Sequence, residues 1–410
     1  MDVKRLAAVS VGHLAIDLLN SSVAMVLTAL AGPFQLRNSQ IGAGVMVYGL
    51  FSSLSQPLFG WLADRLSGRW LGAAGLAWTA TFFALATRAP NYPLLLVTMA
   101  LAALGSSAFH PQGAMNASHA GHVRASSATA FFFLLGQIGL ALGPAISGLI
   151  IQRFGLAGIP YLAGATLPAA VYMAYVLRRP LQPHSVEPAP ETPGQAPASP
   201  RTPGPRALSL QGHRGRQRWV IFAAFALLVA ARSTVQQGFY GLLPKFLADQ
   251  GYEPGQYGLM VAVFSTALAL GTLLGGVLGD RVDHRRILVW AMLACAPFSL
   301  AMLNAQGGLY YLLAAAAGLL VGMPHSIQVV MAQKLLPGRQ GLASGAVLGF
   351  MFASGAAGTG LAGWFADGTG LAPVLHGIGL LPLVAGLSAL LLQEEKTTSA
   401  AAAPAPAAGR

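Results

Sequence analysis

Asp17 and His13 stand four residues apart in a stretch, 7–30, that is otherwise mostly apolar. On a helix that spacing puts them on one face, one turn apart. A carboxylate beside an imidazole can hold and pass a proton. The imidazole titrates near neutral pH, while burial and a neighbouring cation pull a carboxylate in opposite directions. Three more ionisable residues are embedded in apolar sequence: His110, Arg232 and His325. Arg232 follows Asp17 by 215 residues, and His325 follows His110 by the same interval. An arginine in such surroundings attracts an anion. That anion is either Asp17, as a structural ion pair, or the charged group of a small molecule. Ionisable side chains in apolar stretches are costly to bury, so each is a functional candidate. Capping of backbone groups freed by kinks is the structural alternative for Asp17, Arg232 and His110.

Asn20, Gln137, Gln236 and Tyr240 add amides and a phenol that suit a hydrated cavity of moderate polarity. Enzyme chemistry is not expected. The chain has no His-Glu-x-x-His, no Gly-x-Ser-x-Gly and no phosphate-binding loop. No metal and no cofactor are therefore expected, and an ion gradient is the expected energy source. The single cysteine, Cys295, rules out a disulfide within the chain and a four-thiolate metal site.

These residues need elements to position them, and composition says which. Hydrophobic residues make up 55% of the 410 and charged residues only 9%. Mean hydropathy is +0.60. Too few charges are present to cover a large soluble enzyme, for which roughly 25% is usual. Spanning a bilayer takes about 20 mostly apolar residues. Twelve such stretches follow one another, near 7–30, 40–62, 70–88, 93–115, 125–151, 156–177, 219–243, 255–278, 286–304, 308–333, 340–365 and 371–392. The fold class expected is all-α and integral to the membrane, with twelve transmembrane helices in two six-helix halves. The halves are 1–179 and 218–393. A proline-rich, flexible linker, 180–217, separates them, and an Ala/Pro-rich disordered tail, 394–410, ends the chain.

A net charge of +12 would point to nucleic acid in a soluble protein. Here topology explains it. Nineteen of the 24 Lys and Arg residues fall in the termini, the linker and one set of loops, against four in the opposite set. The positive-inside rule then makes both termini and the linker cytoplasmic. No nucleic-acid partner is expected.

The halves repeat. After the second stretch the chain reads Gly60-Trp-Leu-Ala-Asp64-Arg65-Leu-Ser-Gly-Arg69. After the eighth it reads Gly276-Val-Leu-Gly-Asp280-Arg281-Val-Asp-His-Arg285. Both fit G-x-x-x-D-R-x-x-x-R. Two copies in register, among twelve stretches with a central cytoplasmic loop, match the parallel-repeat plan of certain secondary transporters. The chain thus resembles the major facilitator superfamily. The resemblance implies that this loop is a cytoplasmic latch. Asp64 and Asp280 would pair with basic residues or helix ends and hold the outward-facing state closed. In the fifth stretch, Gly139, Gly143 and Pro144 resemble the antiporter motif of the drug-efflux branches, with Ser147 where Gly is usual. Physically, small residues at four-residue spacing let a neighbouring helix approach, and Pro144 can kink its helix.

A narrower resemblance rests on residues spread over the chain. They are His13 to Asp17, Gly105-Ser-Ser-Ala-Phe109-His110-Pro111, Ala231-Arg232-Ser233 with Leu243-Pro244, Gln333 to Pro337, and Ala343-Ser344-Gly345. Together they look like the fosmidomycin-resistance branch, which is made of proton-driven exporters of the bacterial inner membrane. Gln112 and Gly113 follow, where that branch often has Glu and then a small residue, so the carboxylate is missing here. The expectation is a proton-coupled efflux antiporter for small drugs or anionic compounds, working by alternating access as a monomer. Asp17, His13 and His110 would couple protons. Arg232, Asn20, Gln137, Gln236, Tyr240 and His325 would contact substrate. A proton symporter importing a small organic acid is the alternative.

Overall fold

The apolar stretches are helical because a chain in hydrocarbon must satisfy its backbone polar groups internally. The computed structural model describes residues 1–66, 69–178, 215–335 and 340–392. Their α-helices make twelve passages. α1 (Val3–Ser21) and α2 (Val23–Ala31) make the first, and α3 (Asn38–Leu54) with α4 (Gln56–Arg65) the second. Four single-helix passages complete the first half: α5 (Leu71–Ala86), α6 (Tyr92–Gly121), α7 (Ala125–Phe154) and α8 (Ile159–Val176). The second half holds α9 (Gly215–Asp249), α10 (Pro254–Gly279) and α11 (His284–Asn304). After them come α12 (Gly308–Gly322) with α13 (Pro324–Leu335), then α14 (Gln340–Thr369) and α15 (Leu371–Leu390). Nine of the described helical stretches are long and apolar enough to cross a membrane, and one of them, Ser127–Val176, holds both α7 and α8.

Three passages are interrupted, each for a local reason. Between α1 and α2, the hydroxyls of Ser21 and Ser22 accept no helix partner but donate back, to Asp17 O at 2.9 Å and Leu18 O at 2.7 Å. Such back-bonding competes with the helix ladder and bends it. At the start of α4, Pro57 comes two residues after Ser55, and between α12 and α13, Pro324 follows Met323. Each proline lacks the N–H that would continue the ladder.

The expected linker, 180–217, lies outside the described residues except for 215–217, which already form the first turn of α9. A helix can begin before the hydrocarbon does, because polar residues can extend it beyond the membrane. The expected tail, 394–410, lies outside the described residues altogether.

With twelve passages, Val3 and Leu390 lie at one end of the bundle. The α2–α3, α7–α8, α9–α10 and α14–α15 turns lie at the other, called the far end below. α1 packs on α5, α6, α7 and α8, and α9 packs on α10, α14 and α15. The halves meet mainly through α3 on α14 and α7 on α10. Glycine makes both contacts close. A Cβ on Gly42 would lie 3.1 Å from the Cα of Gly363, and one on Gly258 only 2.3 Å from Pro144 O.

Candidate functional site

α1 delivers Asp17 and His13 to the interior of the first half, where they are 5% and 3% exposed. His13 Nε2 lies 3.1 Å from Asp17 Oδ2, and His110 Nε2, from α6, lies 3.2 Å from Oδ1. Asn20 Nδ2 donates to Oδ1 at 2.8 Å and to Ser106 Oγ at 2.9 Å. The Tyr48 hydroxyl, from α3, donates to Asn20 Oδ1. Asp17 is thus held by α1 and α6, with α3 one hydrogen bond further out.

Both histidines have their other nitrogen committed to the backbone. His13 Nδ1 is 2.8 Å from Phe132 O, and His110 Nδ1 is 2.7 Å from Ser106 O. A carbonyl can only accept, so both Nδ1 atoms carry the proton. Each Nε2 therefore turns a lone pair towards a carboxylate oxygen. Neither contact is a hydrogen bond until a further proton enters. With one shared proton the cluster is neutral, with two it is positive, and with none its lone pairs repel. The same ligand atoms lie within 4.8 Å of one another, a spacing a metal ion could also bridge. The two Nε2–oxygen separations are those of hydrogen bonds, so the arrangement fits shared protons directly.

Phe132 stacks on the His13 ring at a centroid distance of 4.0 Å. Gly136, one turn on in α7, closes the other side. A Cβ there would lie 2.5 Å from His13 Nε2 and 2.8 Å from Asp17 Oδ2. Gly139 and Gly143 continue this face. Added Cβ atoms would meet Leu14 O at 2.4 Å and Leu18 O at 2.4 Å respectively, so α7 lies directly against α1. Pro144 sits within the continuous helix α7.

The equivalent position of the second half carries the opposite charge. Arg232 on α9 is 1% exposed. Its Nε donates to Val321 O at 2.9 Å, Nη2 donates to Gln236 Oε1 at 2.7 Å, and Nη1 lies 3.2 Å from His325 Nδ1. A guanidinium cannot accept, so His325 Nδ1 must, and that ring is neutral with its proton on Nε2. The paired histidines thus hold opposite tautomers: His110 turns its Nε2 lone pair to a carboxylate, and His325 turns its Nδ1 lone pair to a guanidinium.

The ion pair between Asp17 and Arg232, one reading of the sequence, does not form. Each group has its partners inside its own half: Asp17 has the Asn20 amide and, once protons are shared, the two imidazoles, and Arg232 has neutral acceptors. Among the described residues Arg232 has no carboxylate partner. Tyr240 is partly buried and packs edge-on against Phe264, 5.8 Å between centroids. Gln137 is partly buried on α7. Sequence reasoning missed Gly136, Ser106, Tyr48 and Phe132. For Gly136 a signal existed, since it starts the small-residue series of α7.

The expected latch residues lie at the end that carries Val3 and Leu390. Gly60 and Gly276 face Pro111 and Ser326, at 3.7 and 3.4 Å from an added Cβ. The Asp64 side chain lies outside the described residues. Arg65 covers the Trp61 ring at 3.8 Å, and Arg69 is exposed. Asp280 and Arg281 are exposed, and Asp280 joins none of the ion pairs among the described residues. Arg285 donates to Leu390 O at the end of α15. The basic residues Lys334 and Arg339, which could face this loop, lie outside the residues whose side chains are described.

Comparison with known proteins agrees with this architecture. The profile of the Major Facilitator Superfamily matches residues 9–255 and 225–410. The fosmidomycin resistance protein of Escherichia coli (strain K12) is 30% identical over 392 residues, covering 94% of this chain and 92% of that protein. The uncharacterised MFS-type transporter YfnC of Bacillus subtilis (strain 168) is 27% identical over 95% of this chain and 93% of its own. Among solved structures, a bacterial homologue of the human lysosomal transporter Spinster, inward-facing and occupied, superposes with a TM-score of 0.76. It is 12% identical and covers 94% of this chain and 96% of its own. The inward-open xylose transporter XylE of E. coli gives 0.69 at 13% identity, over 96% and 97%. A twelve-passage bundle of two repeated halves, with charge buried at the equivalent site of each, is therefore a transporter fold, and the chain belongs to the Major Facilitator Superfamily.

Proposed function

We propose that the protein is a proton-coupled efflux antiporter for small anionic or drug-like compounds, with fosmidomycin as the first substrate to test. One observation carries this reading: buried charges of opposite sign occupy equivalent places in the two halves, and neither neutralises the other. Asp17 with His13 and His110 can take up and release protons. Arg232 is a permanent cation whose present partners are neutral, so it can accept an anionic group without displacing a carboxylate. Asn20, Gln137, Gln236, Tyr240 and His325 supply further polar contacts. His110, whose side chain is 23% exposed, is the member of the proton cluster best placed to meet solvent. The 30% identity to a fosmidomycin resistance protein supports the substrate class.

In this reading, access to the two sites alternates as the halves rock. Protons entering from outside fill the two Nε2–oxygen contacts and make the cluster positive. Opening to the cytoplasm releases protons and admits the anion at Arg232. The bias of Lys and Arg supports cytoplasmic termini, in the inner membrane of a bacterium. The repeated G-x-x-x-D-R-x-x-x-R loops act as the cytoplasmic latch when that side closes, and the monomer is the working unit. Proton gradient, not a bound cofactor, supplies the energy.

The test uses purified protein in liposomes that enclose a pH-sensitive dye under an imposed proton gradient. Fosmidomycin should trigger proton movement with wild type and not with Asp17→Asn. Equal proton movement in both would remove Asp17 from the pathway. Proton and compound moving in the same direction would replace antiport with import of an organic anion, which an arginine held only by neutral partners serves equally well.

A further inference from the structure

The far end of the bundle is joined by two contacts of one design, related by the internal repeat. In the first, Asp367 near the end of α14 accepts from the backbone N–H of Ser39 in the first turn of α3, at 3.0 Å. Beside it Asn38 Nδ2 donates to Ala366 O at 3.2 Å. In the second, Gln152 near the end of α7 accepts from the backbone N–H of Gly255 in the first turn of α10, at 3.1 Å. Gln152 and Asp367 are 215 residues apart, and Ser39 and Gly255 are 216 apart. Each contact crosses between the halves.

The local chemistry of the two helix starts also repeats. Gln40 accepts from the Arg37 N–H at 2.9 Å, and Gln256 accepts from the Glu253 N–H at 2.9 Å. The first N–H groups of a helix have no partner within it. In both α3 and α10 the helix's own glutamine serves the residue before the first turn. A side chain from the other half serves a first-turn N–H. Glycine gives the acceptors room: a Cβ on Gly255 would lie 2.3 Å from Gln152 Oε1. Gly42 and Gly363 keep α3 and α14 close directly behind the Asp367 contact.

We propose that Gln152 and Asp367 form a two-armed clasp that holds the far end shut and must release for that end to open. Each arm caps a helix of the opposite half, so rocking the halves apart uncaps both helices together. The arms are unequal. Asp367 brings a carboxylate to the positive end of the α3 dipole, with Arg37 as the charged neighbour on that helix. Gln152 brings a neutral amide. The clasp depends on neither the proton nor the substrate assignment, and it is measured with neither compound nor gradient present.

The experiment places spin labels at Arg88→Cys and Gln306→Cys, exposed far-end positions in opposite halves, in a Cys295→Ala background. Their separation is read by double electron–electron resonance. Gln152→Ala and Asp367→Ala should each raise the population with separated far ends about fivefold, the effect of losing one helix cap. The double variant should raise it further. Asp367→Asn, which keeps an acceptor but loses the charge, should open less than Asp367→Ala. Gly255→Ala leaves both acceptors in the chain but displaces the Gln152 amide, so it should open like Gln152→Ala. A double variant whose distances match the parent overturns the clasp. So does an Asp367→Asn variant that opens as far as Asp367→Ala.

Discussion

Asp17 is held on both oxygens by imidazoles whose remaining nitrogens are fixed by backbone carbonyls, so its environment is set by groups that cannot easily rearrange. Replacing it with Asn should cut substrate-driven proton flux about a hundredfold or more, the range for removing one positioned proton-transfer group. The liposome assay checks this, and thermal melting of the purified variant separates coupling from folding. Gly136→Ala tests the same cluster from α7. Its Cβ would enter the space of His13 and Asp17, and overpacking of this kind costs about 1–3 kcal/mol. A lower melting temperature together with lost flux is the expected outcome; unchanged flux would mean that the histidine can move aside. Arg232→Lys keeps the charge but loses the planar fork that now reaches Val321, Gln236 and His325 at once. Binding of an anionic substrate, measured by calorimetry, should weaken about tenfold, roughly one charge-assisted hydrogen bond.

At the scale of elements, small residues decide how closely helices approach. The α7–α10 contact runs through Gly258 against Pro144 O, and Gly148 against Pro254 O at 2.4 Å from an added Cβ. Gly258→Val should therefore force α10 off α7. The protein should still insert, since its hydropathy is unchanged or raised, but transport should fall and melting should drop by the cost of overpacking, about 1–3 kcal/mol. Normal transport by that variant would show that this contact opens freely. The twelve passages were legible because long apolar runs leave few alternatives. The breaks within three of them were less so. Ser21 and Ser22 bend α1 into α2 through hydroxyl bonds to the backbone, and serine within an apolar run signals nothing by its type.

For the whole molecule, the asymmetry of Lys and Arg predicts which way the chain faces. A cysteine placed at Val3, in the first turn of α1, should react with an impermeant reagent only in inverted membrane vesicles. Asn91→Cys, at the start of α6 and the far end, should react only in vesicles of native orientation. The reverse pattern would invert the orientation and, with it, the direction assigned to transport. The linker and tail play no part in this test, because the labelled residues lie within the described halves.

Sequence alone determined the membrane class, the number of passages, the two-fold repeat and the residues whose burial needs a reason. Each of these follows from hydropathy, from charge bias or from an interval of about 215 residues, which are properties of order along the chain. It also singled out Asp17, His13, His110, Arg232 and His325, since an ionisable group stands out in apolar surroundings. Tertiary structure decided what those groups do to one another. It placed Asp17 with two histidines and not with Arg232, and it gave His110 and His325 opposite tautomers. It also brought Gly136 against the cluster and carried Gln152 and Asp367 onto helices of the opposite half. The reason is physical: a hydrogen bond acts over about 3 Å, and residues that meet at that distance here are up to 328 positions apart in sequence. No local pattern can encode which of several buried groups will meet until the helices have packed.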